Sequence, residues 1–95
     1  MKYNFYEGIV FSDSYENGIS SGVFRIVETF CENELVYSVF VSTESGGERD
    51  ETFIFDVSRR FDEAVRLCRY LCKMRVSAVH IADVLSDAAV EMLLM

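Results

Sequence analysis

At Val57-Ser58 the hydrophobic rhythm of the chain changes from a period of two to a period of 3.6, which splits the sequence into a strand-forming part and a helix-forming part. With 95 residues in all, the two parts have to share one core, because domains cluster at roughly 100–150 residues. Half of the residues are hydrophobic and 26% are charged. That is too apolar for a disordered chain and too interrupted by charge for a membrane span of about 20 apolar residues. The expectation is a single α+β domain over 1–95.

Four runs rich in aromatic and β-branched residues, at about 3–11, 22–31, 34–43 and 51–57, read as strands. Asn17-Gly18 is a strong hairpin signal, since a type I′ turn needs φ > 0 at both central positions. Taking those two residues as the loop sets Phe11 against Phe24, Ile9 against Ile26 and Phe5 against Phe30. A two-residue loop at Glu32-Asn33 sets Phe30 against Leu35, Ile26 against Val39 and Phe24 against Val41. A looser loop around Gly46-Gly47 then brings Phe53, Phe55 and Val57 onto the same face. The sum is a four-stranded antiparallel meander in the order 1-2-3-4.

Helices are expected over about 59–75 and 78–93, both on one face of the sheet, with Ser58 and Ser77 placed as N-caps. The stripe of the first is Phe61, Ala64, Val65, Cys68, Leu71 and Cys72. In the second it is Ile81, Val84, Leu85, Ala88 and Met92. The other sheet face keeps an unusual amount of apolar surface, which marks a partner site more often than a solvated face. Val27, Val36, Phe40 and Ile54 on that face, with Val79, Val90 and Leu94 outside the second helical stripe, are the candidate interface for a homodimer or another protein partner.

The net charge of −7 is uneven: residues 1–57 hold eleven acids against three bases, 58–75 two against six, and 76–95 three against none. One short basic block flanked by acid is no phosphate-binding face, so direct nucleic-acid binding is not expected. The sequence reaches Glu7 before any apolar run of signal-peptide length. Three cysteines at no repeating spacing fit reduced thiols. Both features lead to a cytoplasmic protein with no membrane role.

From the second strand onward, Phe24-Arg25-Ile26-Val27-Glu28, Val36-Tyr37-Ser38-Val39, Phe55-Asp56-Val57-Ser58 and the run Val76 to Asp87 resemble a family of short clostridial-type bacterial proteins of unknown function, over roughly residues 22–94. The most specific pieces are the Asp-Val-Ser that closes the last strand and His80-Ile81-Ala82-Asp83-Val84. The resemblance implies a strand-then-helix order and a bacterial cytoplasmic setting, and it implies no activity.

No catalytic signature is present. Cys68 and Cys72 have a spacing that can place two thiolates on a metal, with Cys31 or His80 to complete a set, but both fall in the apolar stripe and read as core. His80, Asp83 and Asp87 read as a solvated helix face, and Gly46-Gly47 lacks the helix start and lysine of a phosphate loop. No metal or cofactor is expected. The one polar cluster that stands out is Glu7 opposite Glu28 on the apolar face, with Tyr37 beside them and Arg60 as the cation to bridge them.

The expected function is a small acidic interaction module, self-associating and without catalytic activity. Two alternatives follow from the same residues. One is an acidic antagonist that occupies a basic groove of a partner through Glu44, Glu48, Asp50, Glu51, Asp83, Asp87 and Glu91. The other is a small ligand carrier or enzyme built on Glu7, Glu28 and Tyr37, which requires a pocket there.

Overall fold

The computed structural model describes residues 8–85. Strands β1 (Ile9–Glu16), β2 (Ser20–Cys31), β3 (Glu34–Ser45) and β4 (Glu48–Ser58) form one antiparallel sheet in the order β1-β2-β3-β4. Helix α1 (Phe61–Lys73), a 3-10 turn (Ala78–His80) and the short helix α2 (Ile81–Leu85) follow. The expected α+β meander with helices on one face is the observed architecture. Among the described residues no helix is long and apolar enough to cross a membrane.

The β2–β3 hairpin has the register read from its turn: Phe30 faces Leu35, Ile26 faces Val39 and Phe24 faces Val41. Glu32 and Asn33 take φ of 50° and 66°, the left-handed pair that a two-residue type I′ loop requires. The β1–β2 hairpin differs from the expectation. Asp13 faces Phe24 and Phe11 faces Ile26, so the loop is Gly18-Ile19 and the pairing from Phe11 to Glu16 is displaced by two residues, while a bulge between Ile9 and Phe11 sets Ile9 against Val27, a displacement of one. Only Gly18 has positive φ there (94°), while Asn17 turns its side chain to accept from the Ser20 N–H at 2.9 Å. A glycine at the first loop position alone is the type II′ solution. Because side chains alternate with period two, the slip of two leaves Phe11 and Tyr15 on the core face as expected, whereas Ile9, beyond the bulge, pairs with Val27 instead of Ile26 and does not join the core.

The β3–β4 connection is tight rather than loose. Gly46 and Gly47, both at positive φ, close a two-residue loop that extends β4 back to Glu48. Ile54 then faces Val39 and turns its side chain to the core, while Phe53 faces Phe40 on the other side of the sheet. A bulge follows. Tyr37 pairs with Ser58, and Asp56 sits at φ 57° with its N–H donating to Ser38 Oγ at 2.9 Å. The bulge returns Val57 to the core side and leaves Phe55 exposed.

Helix α1 starts two residues later than expected. Arg60 has extended φ/ψ at the cap position, and Ser58 Oγ accepts the Arg60 N–H at 3.0 Å and donates to Glu63 at 3.1 Å. The buried stripe is Ala64, Leu67, Cys68, Leu71 and Cys72. Leu67 therefore joins the buried stripe, and Phe61 and Val65, expected there, do not. The stripe closes on Phe24, Ile26, Tyr37, Val39 and Val41 to make the core. Ser77 occupies the cap position of the 3-10 turn without a side-chain cap bond. Instead the Ala78 N–H is held by Thr43 Oγ1 of β3 at 2.9 Å, which docks Ala78 and Ile81 at that end of the sheet. The expected strand start at 3–7 and helix 86–93, with Ala88 and Met92, lie outside the described residues.

Candidate functional site

Strand and helix lengths decide which part of the sheet is covered. Twelve residues of β2 extend about 40 Å, at about 3.3 Å each. Thirteen residues of α1 extend only about 20 Å. The helix and the turn after it cover the part of the face near Phe11, Tyr15, Val41 and Thr43. At the Glu32-Asn33 end the same apolar face runs on past the helix start. There Phe30 is 68% exposed and Leu35, directly across from it, 42%. Phe61 is also exposed and lays its ring on Tyr37, centroids 5.7 Å apart.

Phe30, Leu35 and Tyr37, together with Asn33, Glu34 and Arg59, line a groove of about 510 Å³. Arg59 sits at its edge, paired with Glu34 and, at 3.1 Å, with Asp56. Tyr37 donates its hydroxyl to Glu28 at 3.1 Å. Burial, then that hydrogen bond, raises the Tyr37 pKa above its ordinary value. The groove thus has an apolar wall, an ion-paired rim and one buried phenol held by a carboxylate.

Of the expected polar cluster, Glu28 and Tyr37 are brought together. Glu7 lies outside the described residues, and the backbone next to Glu28 is that of Gly8, whose carbonyl accepts the Glu28 N–H at 2.7 Å. Arg60 does not bridge the carboxylates. Sitting just before the helix rather than on its apolar edge, it turns outward to Asp62 at 3.3 Å and Glu63 at 3.7 Å. Its hydrogen bond holds the Asp62 carboxyl below the usual range.

The expected interface is also redrawn. Val27 and Val36 are buried within the chain at 3% and 1% exposure. A Cβ at Gly8 would stand 3.1 Å from Val27 Cγ1, and the Asp56 N–H reaches Ser38 Oγ at 2.9 Å, so backbone from both outer strands comes close to this part of the sheet. Ile54 belongs to the core side through its pairing with Val39. Phe40 is half-buried between Arg25 and Phe53, Val79 is 60% exposed, and Val90 and Leu94 lie outside the described residues.

Cys68 and Cys72 are buried core residues, and Cys31 is half-buried. Burial pushes the Cys68 thiol up to about 12 and raises that of Cys72 as well, in both with a further contribution from Asp13. Neither is a ready nucleophile at neutral pH. Among the described residues no group of three histidine, cysteine or acidic side chains is placed to hold a metal. His80 and Asp83 are exposed, 4.0 Å apart, and Asp87 and Glu91 lie outside the described residues.

The acidic residues of the turns do not make one surface. Glu48 and Asp50 alternate along β4 with Arg49 and Glu51, so the carboxylates divide between the two faces. Phe30, Leu35 and Phe61 escaped the sequence reading because it assigned them to the buried face. The signal that finds them is the length mismatch between helix and strands. No family model, curated protein or solved structure matches the chain.

Proposed function

We propose that the chain is a small non-enzymatic interaction module that pairs with a second copy of itself through the uncovered apolar end of its sheet. The observation that carries this reading is the Phe30–Leu35 pair, two large apolar side chains in cross-strand contact with water, continued by Tyr37 and Phe61. Large exposed aromatic and aliphatic groups in one patch are the material of interface centres.

The charge layout favours a second copy as occupant. Glu16, Glu44, Glu48, Asp50 and Glu51 gather at the opposite end, by the Gly18-Ile19 and Gly46-Gly47 loops. Two copies joined at the Phe30 ends hold those acidic ends apart by far more than the Debye length of about 8 Å. The rim carries both signs, Arg59 with Glu34 and Asp56, so a two-fold axis can set cation against anion. On this reading the module works in the cytoplasm with its thiols reduced and needs neither nucleic acid nor cofactor.

Sedimentation equilibrium across micromolar concentrations tests it. A dimer is expected for the wild-type chain and a monomer for Phe30→Asp and Leu35→Asp at unchanged helical circular dichroism. A 10.9 kDa species at every concentration would falsify the proposal.

A further inference from the structure

The chain has abundant carboxylates, and most of its arginines use them or an aromatic ring. Arg59, Arg60 and Arg66 are in ion pairs, and Arg69 and Arg75 lie over Phe11 and Tyr15, each 5.3 Å from the ring centre. Among the described residues only Arg25 and Arg49 make neither contact. These two line the same hollow.

The hollow, about 200 Å³, lies on the second face of the sheet and is lined by Val23, Arg25, Phe40, Ser42, Arg49 and Glu51. Ser42 is its centre, flanked on its own rung by Val23 and Glu51. Arg25 stands one rung away, across from Phe40, and Arg49 one rung the other way, across from Glu44. The arginines therefore occupy opposite corners of the hollow, with the serine between them.

We infer that this hollow binds a free α-amino acid. Two guanidinium groups with a serine hydroxyl between them suit a carboxylate, which arginine takes in bidentate fashion. Glu51 on the same rung suits the ammonium group. A plain anion would meet the repulsion of Glu51, and a plain cation that of both arginines. A zwitterion satisfies all three, and it is not held off by the net charge of −7. Phe40 and Val23 offer apolar surface to the side chain of the ligand. The volume lies below the roughly 300–1,000 Å³ of sites for larger ligands, which limits the occupant to one amino acid. Phe30 and Leu35 lie on the other face, so the inference stands independently of self-association.

Titration of ¹⁵N-labelled protein with glycine, L-alanine, L-leucine and L-phenylalanine, each followed by amide chemical shifts, tests it. Saturable shifts are expected at Arg25, Ser42, Arg49 and Glu51 for at least one of them, with a Kd of about 1 mM or tighter. Arg25→Gln and Arg49→Gln should each weaken binding about tenfold or more at unchanged Tm, corresponding to about 1.4 kcal/mol. So should replacing the ligand by its amide, which lacks the carboxylate, or by its deamino acid, which lacks the ammonium. No saturation by about 10 mM, well past that Kd, would overturn the inference. Equal affinity for the deamino acid, or for the Arg49→Gln protein, would do so too.

Discussion

The two ends of the sheet are closed by the same kind of tight two-residue loop, yet one end is roofed and the other is open. At the Gly18-Ile19 and Gly46-Gly47 end, Tyr15 and Phe24 meet at 6.1 Å, Arg75 lies over Tyr15, and Thr43 anchors the 3-10 turn. Charge collects outside this roof. At the Glu32-Asn33 end the helix begins too late and is too short to reach Phe30 and Leu35. Apolar surface is left open on a face whose alternation is otherwise that of a core. The difference teaches that an alternating pattern fixes which face is apolar, while the length of the covering element fixes how much of that face is dry.

The sharpest way to break the comparison is to cut a cavity under the roof and compare it with the open end. Leu71→Ala should cost about 2–5 kcal/mol in urea unfolding, because a fully buried side chain leaves a cavity. Phe30→Ala should leave the unfolding of the monomer almost unchanged. Equal losses would mean that Phe30 is core and the open end is not open. A smaller effect is expected at Gly22, where a Cβ would stand 2.5 Å from Tyr15 and 2.9 Å from Phe24. Phe24 is wholly buried and cannot move aside, so Gly22→Ala should lower stability by about 1–3 kcal/mol, as overpacking does.

The phenol at the open end titrates in a direction that can be worked out. Tyr37 ionises near 10.0 in the unfolded chain and at higher pH in the native one. Its contribution is therefore complete below pH 10 and is lost as the pH rises through the native value. Tyr37→Phe should flatten the alkaline limb of a Tm-against-pH curve, and an unchanged limb would show the Glu28 contact to be solvated. The smallest effect belongs to Arg60, whose partners are on the exposed surface of its own helix start. Arg60→Ala should leave Tm within experimental error; a clear fall would put the guanidinium back at Glu28.

How far the chain could be read from its letters depended on how local the deciding contact was. Glu32-Asn33 carries its conformation in its own two residues, and the whole β2–β3 register follows from it. Asn17-Gly18-Ile19 offers two loops that differ by one position, and the Asn17–Ser20 side-chain bond that accompanies the observed one is not a pattern of hydrophobicity. The Asp56 bulge is further from view, because the Ser38 hydroxyl oxygen that accepts its N–H lies eighteen residues earlier. It is this bulge, with the tight Gly46-Gly47 loop, that moved Ile54 inward and Phe53 and Phe55 outward against the sequence reading. For the candidate site, the Glu28–Tyr37 neighbourhood was legible once β2 and β3 were in register. The openness around Phe30 was not, since it depends on where α1 begins.

The meander order carries a consequence for the way the chain acquires its shape. Among the described residues each strand pairs with its neighbour in the sequence, and none of the four has to wait for a distant partner. Such near-neighbour topology keeps the loops to be closed short and the search fast. During synthesis β2 can meet β1, β3 can meet β2 and β4 can meet β3, in the order in which they leave the ribosome. The helix that seals Phe24, Ile26 and Val39 from water follows all four strands. Until it emerges, the nascent sheet shows one apolar face from end to end, and this is the interval in which a chaperone or a neighbouring copy has most to hold.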